Sequence, residues 1–588
     1  MPPRVTKRIP QSCYDCYKRR VKCNRQIPCD VCIRRGKASE CHRETVVVNG
    51  QVFNNEPQAK SKIEMLELEN QFLKEKLKQF EDIEPEVTEK SIGNQSGLYG
   101  MTVNFFSKKP MAEEGNVEYS YEEFKMLQDF LTFKNSLRLI EFNFQKIIIF
   151  HCVLIPEIFK EEHEDFFRKD GKHLSDKIEK TRDEYLWLSI YYATISNVLF
   201  LLDDELCEEL KIDEELSKKL GSISTFAAIE CLHRGQYLKY PNIKSLQCYA
   251  ILCTNFNASS GVHIESALLR VMSYIATTLN LDKLTRPNEG VSLLNFELNC
   301  RIWWILVVIY WFNGPAIGKS PVGIHGFTTP RPRNISDFNL LNSIEQESES
   351  FLPITYNLYI FEISYIKRSY FQSKVVPWEA LELAFSKILN LEQALKIHKQ
   401  SSNNEYAYFL LHLKFLYEKL EIYKRMISFK IQNHLPIEEE RKRCTEVCLE
   451  LIDWFDPKYP ASFRKYWITG NHCVNAAMFL LINMILNQED INLHHLKKIE
   501  MLVVQIQLVF KNVKNPIFNV IPIFKECFEI ILKKLNNQSY NLEFHEVKKV
   551  LNILDEVPKV YNRDTDLYNM VTVDYWDDFM NWVQSQDI

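Results

Sequence analysis

Apolar positions recur at helical spacing through most of the chain. Ile264, Leu268, Met272, Ile275 and Leu279 stand at i, i+4, i+8, i+11 and i+15, the pattern of one buried helix face. Similar patterning from about Glu118 to Tyr561 predicts a large all-α body over residues 118–562. Three stretches, Leu186–Leu202, Ile302–Gly318 and Tyr466–Gln488, carry no charged residue. A membrane span needs about twenty mainly apolar residues. These three are interrupted by Ser, Thr or Asn, and the second contains Asn313-Gly314-Pro315. They are expected to be buried helices of a soluble protein, with no membrane partner.

The period changes near the start. Val46-Val47-Val48-Asn49-Gly50-Gln51-Val52-Phe53 places Asn-Gly between β-formers, a type I′ hairpin signal, within a linker over 44–61. Residues 62–83 follow a seven-residue repeat, with Ile63, Asn70 and Leu77 at a and Leu66, Leu73 and Phe80 at d. An Asn at one a position fixes register and favours two parallel strands. The g–e pairs across two copies would be Lys62–Glu67, Glu69–Lys74 and Lys76–Glu81, all opposite in sign. A short parallel coiled coil and a homodimer are expected; an amphipathic helix packed on its own domain has no reason to satisfy all three pairs. Pro85 ends the repeat, and residues 84–117, with Gly93, Gly97, Gly100 and Gly115, look like a second linker.

Composition agrees with a mostly α chain. Of 588 residues, 46% are hydrophobic and 25% charged, and only 16 are Gly, which disfavours folds built on glycine turns. Net charge is −5, unevenly spread: residues 1–43 carry twelve Lys/Arg against three Asp/Glu, leaving −14 on the remainder. A basic head on an acidic body points one end at a polyanion. The opening MPPRVTKRIP has no apolar run, so the sixteen cysteines are expected as reduced thiols in the cytosol or nucleus.

Six of those cysteines lie in the first 41 residues: Cys13, Cys16, Cys23, Cys29, Cys32 and Cys41, spaced C-x2-C-x6-C-x5-C-x2-C-x8-C. One tetrahedral Zn²⁺ would strand two of them. Two Zn²⁺ need eight ligand positions, which six cysteines fill if two sulfurs bridge. Metal would also supply the stabilisation that so small a segment cannot draw from a core.

This spacing, with Lys18-Arg19-Arg20-Val21-Lys22 between the second and third cysteines, resembles the six-cysteine binuclear zinc cluster of fungal transcription regulators. The resemblance implies two Zn²⁺ per chain, Cys13 and Cys29 as the bridging ligands, and Pro28 as a shaper of the loop between the halves. It further implies a short helix after each CxxC pair, the first over roughly Tyr14–Val21 entering the major groove of double-stranded DNA. Arg20 would contact bases in a CGG-type half-site, since an Arg fork matches guanine. Lys18, Arg19, Lys22, Arg25, Arg34 and Arg35 are candidates for base or phosphate contacts.

The body holds no GxxxxGK, GxGxxG, HExxH or GxSxG motif, and no enzymatic activity is expected. Cys444 and Cys448 share a helix face and are expected as buried thiols; His472, Cys473, Trp303, Trp304, Tyr310 and Trp311 are expected in the core. Arg301-Ile302-Trp303-Trp304, Gly318-Lys319-Ser320-Pro321 and Thr329-Pro330-Arg331-Pro332 resemble the signature of the fungal-specific transcription factor middle domain. That resemblance implies an all-α regulatory domain. It departs from the family pattern at Lys319-Ser320 and in having one arginine before Trp-Trp.

Residues 563–588 are acidic and carry Tyr575, Trp576, Phe579 and Trp582, the composition of an activation segment that folds against coactivators. A final helix docked by its tryptophans is the rival. Together these features lead to the expectation of a nuclear, sequence-specific regulator of RNA polymerase II transcription, an activator. The alternative is a zinc-cluster structural DNA-binding protein, such as a centromere or kinetochore subunit; the predicted zipper weighs toward the regulator.

Overall fold

The chain divides into two units, Met1–Gly115 and Asn116–Ile588. A computed structural model describes residues 4–5, 11–37, 40–44, 46–48, 51–53, 121–169, 180–256, 262–285, 292–317, 326–371, 376–399, 404–486, 492–511 and 521–536. The predicted coiled coil over 62–83 and the acidic segment over 563–588 lie outside the described residues.

The first unit contains β1 (Arg4–Val5), α1 (Tyr14–Lys18), α2 (Asp30–Arg34), β2 (Val46–Val48) and β3 (Gln51–Phe53). Strands β2 and β3 pair antiparallel, Val46 with Phe53 and Val48 with Gln51, the register that the Asn-Gly signal predicts for a two-residue hairpin. Strand β1 adds in parallel to β2, Arg4 opposite Val46, a two-residue pairing too short to show as a sequence pattern.

The second unit is helical, from α3 (Tyr121–Phe130) and α4 (Phe133–Phe142) onward. A π-helical turn (Asn143–Ile147) and a 3-10 turn (Ile148–Phe150) lead to α5 (Pro156–Arg168). Helices α6 (Arg182–Leu201), α7 (Asp204–Leu210), α8 (Glu214–Arg234), α9 (Ile243–Leu252) and α10 (Val262–Thr278) follow. Next come α11 (Leu293–Ile317), α12 (Asp337–Leu341), α13 (Pro353–Phe371), α14 (Trp378–Lys399) and α15 (Glu405–Gln432). The series closes with α16 (Glu438–Asp453), α17 (Ala461–Arg464), α18 (Trp467–Leu486), α19 (Leu493–Val509) and α20 (Ile521–Asn536).

Local chemistry explains where these helices begin. Thr181 and Glu184 form a capping box at the head of α6: the Glu184 N–H donates to Thr181 Oγ1 at 3.3 Å, and the Thr181 N–H donates to Glu184 Oε2 at 2.7 Å. Beyond that cap, every residue of α6 from Leu186 to Leu201 is buried, which is why its apolar residues show no single face. Helix α8 packs closely on α6 because the facing residues are small. Ser196 Oγ donates to the Gly221 carbonyl at 2.9 Å, and Ser217 Oγ donates to the Leu199 carbonyl at 2.6 Å.

Two windows, Leu293–Phe312 in α11 and Trp467–Ile485 in α18, are long and apolar enough to cross a membrane by length and composition. Within the unit they are 72% and 89% buried, so other helices already cover most of their apolar surface.

The α6–α8 contact sets a measurable limit. A Cβ added at Gly221 would stand 3.1 Å from the Phe200 ring and 3.4 Å from Leu199 Cβ. Gly221→Val should destabilise the chain by about 1–3 kcal/mol through overpacking. Ser222→Ala, one residue on, should cost well under half as much, with thermal denaturation of both variants as the measurement.

Candidate metal centre and nucleic-acid interface

The core of the first unit is sulfur. Cys13, Cys16, Cys29, Cys32 and Cys41 are its cluster of buried residues, with Cys23, Ile27 and Val31 packed around them. Cys13, Cys16, Cys29 and Cys32 bring their sulfurs within 4.8 Å of one another, a group able to hold a metal ion. The Sγ–Sγ distances are 3.7 Å for Cys13–Cys29, 3.8 Å for Cys13–Cys32 and 3.6 Å for Cys16–Cys29. A tetrahedron with Zn–S bonds of about 2.3 Å has sulfur–sulfur edges of about 3.8 Å, so the thiols already stand at ligand separation. All sixteen cysteines of the chain are free thiols.

Both halves are built alike. Cys13 and Cys29 cap α1 and α2, each sulfur accepting at 3.4 Å from the backbone N–H of the cysteine three residues on. Burial works against ionisation of Cys29, but the Cys32 N–H and thiol and the Cys16 and Cys13 thiols outweigh it, bringing the pKa down to about 6. The Cys29 N–H in turn donates to Cys41 Sγ at 3.3 Å, and Cys41 also interacts with the thiols of Cys32, Cys13 and Cys29. A bond from the Tyr14 N–H to the His42 carbonyl at 2.7 Å ties the first helix to the stretch beyond Cys41.

The first helix is shorter than the sequence predicts. It ends at Lys18 rather than Val21. Arg20 has φ 57°, the left-handed conformation, and the Val21 N–H closes the helix on the Cys16 carbonyl at 3.1 Å. The second half ends the same way, with Gly36 at φ 68° and the Lys37 N–H on the Cys32 carbonyl at 2.9 Å. Lys18, Arg19 and Arg20 therefore do not fan around a helix at 100° per residue. Only Lys18 is helical, Arg19 is the cap, and Arg20 leaves on the turn that leads back toward Cys23.

Lys18, Arg19, Arg20, Lys22, Arg25, Arg34 and Arg35 are all exposed. Among the described residues no ion pair engages any of the seven, whereas Lys37 is paired with Glu40 at 3.0 Å. Arg34 Nε donates to the Asp30 carbonyl at 3.4 Å and Lys18 lies 5.9 Å from the Tyr14 ring centroid. The surface around the thiols is thus cationic and unneutralised, the condition for attracting phosphate.

In the second unit the singled-out residues are structural. Arg301 is 2% exposed and donates to the Cys152 carbonyl at 3.1 Å and the Ile335 carbonyl at 3.4 Å. Trp304 Nε1 donates to the Pro330 carbonyl at 2.9 Å. The Arg-x-Trp-Trp and Thr-Pro-Arg-Pro stretches therefore brace each other; Gly318-Lys319-Ser320-Pro321 lies outside the described residues. Cys444, Cys448 and Cys473 are fully buried, and burial holds the Cys444 thiol well above its ordinary range. Sequence reasoning missed a buried charged face on α15, where Lys414, Glu418 and Glu421 stand at i, i+4 and i+7. It also placed His472 in the core without its cavity.

Residues 126–320 match the family model Cep3, which describes a subunit of the centromere DNA-binding protein complex CBF3. Over 332 residues the chain is 24% identical to the corresponding subunit of the centromere DNA-binding protein complex CBF3 of Saccharomyces cerevisiae, covering 53% of this chain and 49% of that protein. The chain thus spans about half the length of this curated relative. A solved structure described as "Structure of the K. lactis CBF3 core" superposes with a TM-score of 0.48 at 12% identity, over 84% of this chain and 98% of that one. The sequence matches correct the reading of the chain as a fungal transcription factor. The matched segment includes Arg301–Trp304, part of the signature taken for a middle domain, and Arg301 and Trp304 serve as buried braces rather than as a mark of that family. Regulation of RNA polymerase II transcription and the activator role lose their support with it.

Proposed function

We propose that this chain is a structural DNA-binding subunit of a centromere complex, acting in the nucleus and without catalysis of its own. The observation that carries this reading is the match of residues 126–320 to the Cep3 family of CBF3 subunits. The first unit adds an independent reason to expect DNA as a partner, because its exposed cations surround a metal-ready thiol cluster. In this reading the helical unit joins other subunits, while the head grips the duplex.

The head fits two Zn²⁺. Cys13, Cys16, Cys23 and Cys29 would hold one ion and Cys13, Cys29, Cys32 and Cys41 the other, with Cys13 and Cys29 shared. The zinc would supply structure only, neutralising thiolates that otherwise repel. Six thiolates and two Zn²⁺ sum to −2, which leaves the segment 1–43 at about +7 given its +9 side-chain balance. Such a surface gains affinity by displacing counterions from the phosphate backbone. Pairing of two copies through Ile63, Leu66, Asn70, Leu73, Leu77 and Phe80 rests on the heptad and charge pattern, and it belongs to the same proposal.

Three measurements test this. Mapping of bound chromosomal sites should show the protein concentrated at centromeric DNA; binding spread over promoters with none at centromeres would overturn the reading. Metal analysis of the full chain should give two zincs. Cys23→Ser should keep one of them and Cys13→Ser should lose both, whereas equal losses would reject the sharing of Cys13. For base reading, Arg20→Gly is the clean variant, since glycine keeps the left-handed turn that alanine would strain. It should weaken binding by about 1–3 kcal/mol and relax preference at one base pair, with zinc content unchanged. An unaltered sequence preference would remove Arg20 from the base-reading role.

A further inference from the structure

The helical unit holds a partly open cavity of about 200 Å³ among α9, α10, α11, α13, α15 and the start of α18. A single water needs roughly 10–15 Å³, so the space would take an organic molecule. Its wall is mainly apolar. Ile305, Ile309 and Phe312, at i, i+4 and i+7 on α11, run along it for about 10 Å.

One end is polar, and two ammonium groups stand there. Lys414 Nζ is 2.7 Å from Glu418 Oε1 and Lys367 Nζ 3.8 Å from the same oxygen. Tyr370 OH donates to the other oxygen of Glu418 at 2.8 Å. Burial opposes ionisation of Glu418, but the two ammonium groups hold its carboxyl below the usual range. Two cations thus flank one anion. Glu421 pairs with Lys424 at 2.5 Å and with the Tyr417 hydroxyl, and its charge also acts on Lys414. Glu265, also on the wall, acts on Tyr249, Cys253 and Tyr466 instead.

Beside the lysines lies His472, 4% exposed and stacked on Tyr417 with ring centroids 3.8 Å apart. Among the described residues neither of its ring nitrogens has a hydrogen-bond partner. Burial, then Lys414 and Lys367, push its pKa well below the ordinary value, so the ring is neutral and offers one N–H and one lone pair. A buried imidazole with both nitrogens unmet costs free energy unless something fills the space beside it. The other amides nearby are satisfied: Asn357 donates to the Ile149 carbonyl at 2.6 Å and Asn475 donates to Asn471 at 3.2 Å.

We propose that this cavity binds a small apolar monocarboxylate, its carboxylate accepting the His472 N–H beside Lys414 and Lys367 and its hydrocarbon lying along Ile305, Ile309 and Phe312. A carboxylate gives the imidazole N–H an acceptor and is attracted by the neighbouring ammonium groups. A neutral head group loses that attraction, and a cationic one is repelled. The inference stands on the helical unit alone and is separate from the DNA-binding reading.

Octanoate, octan-1-ol and octylamine, titrated calorimetrically into the full-length protein, share a tail and differ in charge. Octanoate should bind one per chain, at least tenfold tighter than octan-1-ol and with no measurable binding of octylamine. His472→Phe keeps the stack on Tyr417 and should weaken octanoate at least fivefold while leaving octan-1-ol unchanged. Ile309→Trp fills the apolar part and should abolish binding of both, which tests the site should His472→Phe fail to fold. No octanoate binding at millimolar concentration, equal affinity for the alcohol, or insensitivity to both substitutions would overturn the proposal.

Discussion

Everything the first unit can present to a partner depends on sulfurs held within 4.8 Å of one another in place of a hydrophobic core. Among the described residues its cluster of buried side chains is cysteine, with Cys23, Ile27 and Val31 packed around it. A segment of this size buries too little apolar surface to fold by itself. Helices of five residues do not form unaided either, because nucleation costs more than so few bonds return. Helices α1 and α2 exist because Cys13 and Cys29 serve twice, as caps for the backbone and as members of the cluster. The same grouping that orders the helices also creates a charge problem. Thiolates at these separations repel, so a cation bound among them would favour the ordered state.

The near-symmetry of the two halves gives Arg20 added meaning. Position for position it corresponds to Gly36, and both adopt the left-handed conformation that ends a helix. Glycine is the residue that meets this need without steric cost, while an arginine there costs about 1–2 kcal/mol. The turn is forced because Cys23 must return to the cluster within a few residues of Lys18, and the arginine is carried outward by it. An exposed guanidinium on a fixed turn is better placed for a directional contact than one on a fraying helix end.

Features with a local period were legible in the sequence. The cysteine spacing, the Asn-Gly hairpin and the uncharged stretches within α6, α11 and α18 each announce themselves within a few residues. The end of α1 was not legible, because Lys18-Arg19-Arg20-Val21 has good helix propensity and only the tertiary need to recover Cys23 breaks it. The body was misassigned for a related reason. Arg301, Trp303 and Trp304 are buried, and a brace that ties one helix to a following loop looks the same in whatever family uses it. Motifs made of packing residues report packing, and they carry lineage only when a long stretch of chain agrees with them.

The charged face of α15 was hidden by its own regularity. Lys414 and Glu418 at i, i+4 have the spacing of a solvated surface pair, worth little to stability. In the fold they are interior, with Glu418 1% exposed. A buried ion network gains less than apolar residues of the same size would, since desolvating each ion offsets most of the attraction. A helix face that needed only to pack would be more stable without these residues. Lys414 lines an apolar cavity beside a neutral His472 that has no hydrogen-bond partner among the described residues, the opposite of what packing alone favours. The first unit sets cations on its surface around a buried cluster of thiols, and the second leaves the His472 imidazole without a hydrogen-bond partner among the described residues. In both, the fold keeps polar capacity that packing alone would remove.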